Sequence, residues 1–512
     1  MIGSQVSWKW IGVIALVRLI LHVVVADQYG FHRDEYLYLA QTEHLAWGFM
    51  EVPPALAFLG AGIRFFGDGI IWIKFIPALF GCAMIFMIAK MVADLGGKHW
   101  AQITAVLAFA VVPAFLRTHH LFQPVFLNQF MWTLLTFLVV RLLVTENKYY
   151  WYGIGATIGV GMLTKYTMAF PVAGLLSGVL LTPQRYWLSR KEPYLAALLA
   201  LFILLPNIYW QYSHNWPIIN HMNELRETQL VNVRPTFFLT MQFLMLFAAS
   251  LLWSPGLISF FTKAQSKFRM IGWMYICISL LLLVLSGKPY YSLGMYPVLI
   301  AAGAVWWERI LPSRNRIRVA LPVVIVAISL PLVPYGLPVF SVEKMESYCR
   351  WMSDHAGLSA PLIWEDGVAR HLPQDYADMF GWEEGVANLA RQYHKLPPVL
   401  QSNCNLWGGS YGHAGALLYY ADKYDLPRDI TSFNGSFALW AKDEADFTCQ
   451  LNLDDNLNLT SEYFGNVELV DSNSTSYARD PGYVIFRSEP LVDIPETWKS
   501  LVAGQKDQWR RK

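Results

Sequence analysis

Apolar runs of membrane length, separated by short polar breaks, fill the chain from Trp10 to about residue 337. They cover residues 10–26, 70–93, 100–116, 125–144, 150–164, 167–182, 194–212, 237–261, 270–287, 290–308 and 318–337. A helix needs about 20 apolar residues to cross a bilayer, so the pattern predicts about eleven spans. Prolines at 113, 124, 171, 206, 289 and 331 interrupt it. Membrane helices tolerate such breaks because neighbouring helices satisfy the freed carbonyls. Past residue 340 the long runs end. Short strand-like runs (360–364 and 483–486) alternate there with helix-like ones (382–393 and 414–424), and turns fall at Asp425-Leu-Pro and Asn434-Gly. The expected architecture is a polytopic α-helical membrane domain over 1–340, with its first outer loop at 27–69, and a soluble extracytoplasmic α/β domain over 341–512.

Composition agrees: 55% of the 512 residues are hydrophobic and only 15% are charged, where soluble proteins carry about 25%. The first apolar run has no small-residue cleavage site before the polar loop that follows, so it is expected to be retained as a span. The formal charge of +2 hides a split. Residues 1–340 hold 24 Lys and Arg against 12 Asp and Glu, and residues 341–512 hold 15 against 25. A basic membrane part followed by an acidic tail is not the pattern of a nucleic-acid binder.

With a cytoplasmic N-terminus, one set of short loops collects Lys98, Lys148, Arg185, Arg190, Lys191, Lys263, Lys267, Arg269, Arg309, Arg314, Arg316 and Arg318. That is the positive-inside pattern. The first loop, Lys165, Lys288 and the whole tail then fall on the outer side. Cys82 and Cys277 lie in apolar runs and read as core residues. Cys349, Cys404 and Cys449 lie in the tail, where one disulfide can form in an oxidising compartment. No Cys/His run has zinc spacing.

The chemistry concentrates on that outer side. Residues 31–54 place Arg33, Asp34, Glu35, Glu43 and Glu51 directly after the first apolar run, with Pro53-Pro54 stiffening the loop's end. Asp34 and Glu35 are candidates for a general base or for holding a divalent ion, and Glu51 joins them. Glu43 reads as a solvated helix residue. Lys165, in Met-Leu-Thr-Lys-Tyr-Thr, and Lys288, in Lys-Pro-Tyr-Tyr, are candidate phosphate clamps, each beside tyrosine hydroxyls. Arg117, His119 and His120 offer further anion contacts. Arg18 and His22, one turn apart in the first run, read as an interior pair. No Walker A run, Rossmann fingerprint or G-x-S-x-G elbow is recognised, so neither nucleotide handling nor serine hydrolysis is expected.

Taken in order along the chain, several of these motifs resemble the GT-C superfamily of membrane glycosyltransferases. The likeness is strongest to the family 39-like bacterial branch related to protein O-mannosyltransferases and lipid A aminoarabinose transferases. It rests on Asp34-Glu35 with Tyr38, Gly48-Phe-Met-Glu-Val-Pro-Pro, Leu163-Thr-Lys-Tyr, and Lys288-Pro-Tyr-Tyr with Tyr296-Pro. The resemblance implies that Asp34 is the catalytic carboxylate, with Glu51 and Lys165 in the family's acidic and lysine positions. Arg33, Tyr38, Arg117, His119, His120, Lys288, Tyr290 and Tyr291 are the expected contacts to substrate or lipid phosphate.

Where relatives carry a Lys after the loop glutamate, an Arg after the acidic pair and an acid near the fourth span, this chain has Val52, Leu37 and Asn128. The implied reaction moves a hexosyl or pentosyl group from a polyprenyl-phosphate sugar to a hydroxyl on a glycolipid, glycan or protein. It would take place at the outer face of a bacterial inner membrane, with a divalent cation as the one cofactor to consider. The rival expectation is a lipid or glycan transporter. It is weakened by the absence of a repeated hydrophobic pattern and by charges that gather on one side of the membrane instead of at mid-depth.

Overall fold

The computed structural model describes residues 5–228 and 230–507. The chain forms two compact units, one of residues 1–26, 71–208 and 222–339, the other of residues 27–70, 209–221 and 340–512.

The first unit is all helical. Each of the eleven apolar stretches is helical, but length sorts them. Ile70–Asp94, Pro124–Thr145, Glu192–Ser213, Lys263–Val284 and Arg316–Tyr335 are long and apolar enough to cross a membrane. Tyr166–Leu180 with Pro183–Ser189, bent by 104°, makes a sixth if the pair counts as one span. The other stretches are shorter or broken, in place of eleven uninterrupted spans. The breaks have local causes. Val112 is extended (φ −71°, ψ 125°) because Pro113 follows it, which splits 100–116 into His99–Val111 and Pro113–Thr118. Residues 237–261 divide into Pro235–Leu244 and Ser250–Ser259. Ser250–Ser259 packs on Tyr296–Ile310 at backbone contact distance: a Cβ at Gly256 or Gly303 would run into the carbonyl of Leu299 or Leu252.

The second unit is built on a five-stranded sheet of order β2-β1-β3-β5-β4. Its strands are β1 (Cys404–Gly408), β2 (Ile430–Thr431), β3 (Cys449–Asp454), β4 (Phe464–Asp471) and β5 (Tyr483–Pro490). β1 runs parallel to β2 and β3, and β5 is antiparallel to β3 and β4. Cys404 and Cys449 face each other across β1 and β3 and form a disulfide, with Cα atoms 4.6 Å apart. Residues 360–364 are not a strand. Pro361 has no N–H for a ladder and opens the 3₁₀ turn Ala360–Leu362, so only Ile363 makes an isolated bridge, to Ala369. The expected helices appear as Trp382–Lys395 and Tyr411–Tyr420.

The first polar loop belongs to this second unit. It contributes the helices Arg33–Gln41 and Ala55–Arg64. Helix Arg33–Gln41 lies against Tyr411–Tyr420 through two glycines. A Cβ at Gly412 would sit 2.6 Å from the Arg33 side chain, and one at Gly415 would sit 2.7 Å from the Tyr36 backbone. No other residue permits this approach without displacement of its neighbour.

Candidate active site

The acidic residues of the first loop sit on a capped helix. His32 is the N-cap: its Nδ1 accepts from the Asp34 N–H at 3.1 Å, and the Glu35 carboxylate accepts from the His32 N–H at 2.7 Å. This is a capping box, which satisfies two of the helix's unpaired donors and places acidic charge at its positive end. Glu35 is fully buried in that role. Asp34, one position earlier, keeps 30% of its side chain exposed.

Asp34 Oδ1 accepts a 2.8 Å hydrogen bond from the Tyr411 hydroxyl and lies 3.8 Å from Arg33 Nε. The Arg33 guanidinium stacks over the Tyr411 ring at 5.3 Å. Burial, with the Asp34 charge adding to it, pushes the Tyr411 hydroxyl well above its usual ionisation range, so it stays a donor.

Glu51 is the second carboxylate of the cluster. Its Oε1 accepts from the Ser436 backbone N–H at 2.7 Å, and its Oε2 from the Ser436 hydroxyl at 2.6 Å and the Gln41 amide at 3.2 Å. Burial raises its pKa above the ordinary carboxylate range, although these hydrogen bonds pull the other way. Tyr38 is nearly buried within electrostatic reach of Asp34, Tyr411, Glu51 and Arg33, and burial raises its hydroxyl well above the usual range. Arg33, Asp34, Tyr38 and Glu51 are thus brought together, while Glu35 turns to the helix start. Glu43 is not merely solvated: it pairs with Arg64 at 3.1 Å and Arg428 at 2.6 Å.

In the first unit, Lys165 is extended (φ −163°) at the break between helix Tyr150–Thr164 and the 3₁₀ turn Tyr166–Met168. Its ammonium lies 5.5 Å from the Tyr290 ring and 5.0 Å from the Tyr291 ring, an attraction of cation to ring face. Val125, Asn128, Gln129, Leu293 and Gly294 complete a cleft around these three. Asn128 donates to the Thr167 hydroxyl at 3.1 Å.

The turn Pro289–Met295 that carries the two tyrosines is pinned from within. Gln242 Oε1 accepts from the Ser292 and Tyr296 hydroxyls, each at 2.6 Å, and its amide donates to the Pro289 carbonyl at 3.2 Å. Thr133 donates to the Gly294 carbonyl at 3.1 Å. Lys288 opens the same turn, half-buried, but is not among the residues lining the cleft.

Arg117 is half-buried beside two histidines that lie wholly in the interior. His119 Nδ1–H and Arg18 Nη2 both donate to the Phe115 carbonyl, at 2.6 and 2.9 Å. His22 Nδ1–H donates to the Arg18 carbonyl at 2.9 Å, and the His22 and His120 rings lie 6.4 Å apart. Arg18, His22, His119 and His120 form one internal polar cluster. Among the described residues, no group of three or more His, Cys, Asp or Glu side chains is placed to hold a metal ion.

Sequence reasoning misses Gln41, Tyr411, Asn434 and Ser436. The available signals were the glycines at 412 and 415, whose spacing marks a close helix contact, and the Asn434-Gly435 turn. It also passes over the run Gly408-Gly409-Ser410-Tyr411-Gly412, which has G-x-S-x-G spacing. Ser410 is extended (φ −129°) and accepts from the His413 N–H as an N-cap. That is not the strained elbow of a serine nucleophile.

Residues 51–210 match the profile of the family described as dolichyl-phosphate-mannose-protein mannosyltransferase. Lipid A galacturonosyltransferase RgtD of Rhizobium johnstonii is 24% identical over 212 residues, which is 39% of this chain and 42% of that protein's length. The fold is similar to that of ArnT from Cupriavidus metallidurans. Bound to undecaprenyl phosphate, that protein superposes with a TM-score of 0.61 at 15% identity, over 94% of this chain and 98% of the other. Its apo state gives 0.57 at 15% identity, over 93% and 97%.

Proposed function

We infer that this chain, an integral membrane protein of the GT-C superfamily in its family 39-like branch, is an inverting glycosyltransferase. In this reading it moves a sugar from a polyprenyl-phosphate-linked donor to a hydroxyl acceptor at the outer face of a bacterial inner membrane. The observation that carries the reading is Asp34: a partly exposed carboxylate held at one oxygen by Tyr411. The acceptor oxygen attacks the anomeric carbon, its proton passes to Asp34, and the bond from that carbon to the phosphate oxygen breaks. The electron pair leaves with the polyprenyl phosphate.

Phosphate charge grows as that bond breaks, and Lys165, beside the Tyr290 and Tyr291 rings, is the group assigned to stabilise it. Lys288 and Arg117 are assigned to add to that stabilisation, Arg33 and Tyr38 to line the base, and the buried His119 and His120 to brace their loop. Glu51 is assigned to shape the acceptor side.

The test is lipid and glycan mass spectrometry of the native host, comparing wild type, a deletion, and the deletion carrying Asp34→Asn. Loss of one sugar from a surface glycan in both mutants, with its polyprenyl-phosphate donor still present, is the expected result. Restoration of the wild-type profile by Asp34→Asn overturns it and favours a transporter.

A further inference from the structure

We propose that the C-terminal domain is part of the catalytic apparatus, with Tyr411 and the Asn434–Ser436 turn acting as positioning residues that fix the aim of Asp34 and Glu51. The inference rests on the glycosyltransferase reading above and names what holds its carboxylates in place.

The two carboxylates lie 17 residues apart in one loop, yet each is gripped by a donor nearly four hundred residues away: Tyr411 for Asp34, Ser436 for Glu51. These donors are tied to each other. The Tyr411 N–H donates to Asn434 Oδ1 at 3.1 Å, so the start of one helix and the turn that holds Glu51 are a single hydrogen-bonded piece. The turn is shaped for the contact. Gly435 has φ +59°, and a Cβ there would overlap the Glu51 carboxylate. The Ser436 hydroxyl donates to Glu51 and accepts from the Met50 N–H at 3.1 Å, which fixes the loop backbone as well as the side chain. Glu51 is held at both oxygens, whereas Asp34 is held by Tyr411 at one, which sets the direction of the other. A general base must meet its proton within hydrogen-bond reach, so this direction bears on rate. Simple docking of the loop on the domain needs no hydroxyl aimed at Asp34, because the glycine contacts and the Arg33 stack already supply it.

The experiment uses the full-length protein in lipid nanodiscs with a detergent extract of the whole cell envelope of the deletion strain as the source of donor and unmodified acceptor, and reads product by mass spectrometry. Wild type is compared with Asp34→Asn, Tyr411→Phe, Ser436→Ala and Ser436→Thr. Tyr411→Phe keeps the ring under Arg33 and removes only the hydroxyl. A hydrogen bond to a charged group contributes enough to lower kcat about 10- to 100-fold here, with KM nearly unchanged. The acid limb of the kcat/KM profile moves to higher pH, because the ionised base loses a donor that favoured it. Ser436→Ala lowers kcat in the same direction and Ser436→Thr restores it. Wild-type kcat and pH profile in Tyr411→Phe, with Asp34→Asn inactive, overturn the positioning role alone. An active Asp34→Asn overturns the base assignment and this proposal with it.

Discussion

The two charge clusters that the proposed reaction would use are built on opposite principles. In the sheet-bearing unit, Asp34 and Glu51 are fixed by directional hydrogen bonds at 2.6–3.2 Å from Tyr411, Ser436 and Gln41. In the helical unit, Lys165 is drawn to the faces of Tyr290 and Tyr291 at 5.5 and 5.0 Å. A hydrogen bond fixes direction, whereas a ring face attracts a cation without fixing where its donors point. A proton-transfer group needs the first kind of hold. A group that follows a phosphate as its charge grows is served by the second. The contrast assigns geometry to one cluster and electrostatics to the other.

The sharpest way to break the contrast is Asp34→Asn. If direction and basicity both matter, kcat falls about 10²–10⁴-fold while the protein still inserts in the membrane. A loss below tenfold in a nanodisc assay refutes a general base at this position. Lys165→Met comes next, with kcat down about 10- to 100-fold, because in the proposed reaction the phosphate gains charge on leaving and the lysine stabilises that charge. Lys165→Arg should recover much of it, since ring stacking and charge both survive. A rise in KM with kcat intact would instead make the lysine a simple binding group.

The helical unit is legible because apolar periodicity and membrane length are local signals, and Lys165 stands out because a charge inside an apolar run is conspicuous; Lys288 stands out for the same reason but does not line the cleft. What stayed hidden depends on distant residues. Nothing near Asp34 announces Tyr411, and nothing near Glu51 announces Ser436, since hydrogen bonds across nearly four hundred residues leave no periodic trace. Glu35 reads as Asp34's twin in sequence. Only the helix start, with His32 as its cap, sends one carboxylate inward and leaves the other at the surface. The breaks inside the apolar runs stay hidden for a related reason: apolar length does not reveal where a proline such as Pro113 divides a run.

Gly435→Ala sharpens the carboxylate side of the comparison with a smaller effect. The left-handed backbone at φ +59° costs an alanine about 1 kcal/mol, and its methyl group displaces the Glu51 carboxylate. Transfer should fall about tenfold while the Lys165 cluster is untouched, so donor KM stays at the wild-type value. A raised donor KM would show that the two clusters are not separable.

The smallest effect on neutral-pH transfer is expected from Asp480→Asn, which removes a carboxylate paired with His413 at 3.0 Å beneath the Tyr411–Tyr420 helix. Burial pushes the Asp480 pKa up, but the His413 hydrogen bond and charge and the Gly482 N–H outweigh it and hold the carboxyl below its usual value. A carboxylate with a lowered folded pKa stabilises the fold above its unfolded pKa of about 3.9 and loses that contribution as pH falls through the folded value. Denaturant melts of the full chain should therefore show Asp480→Asn less stable than wild type at pH 7, by about 1–3 kcal/mol. The gap should close on acidification below about pH 4. A gap that persists unchanged at pH 3 would mean that the aspartate acts through packing, and that the helix carrying Tyr411 is not held in place by this charge.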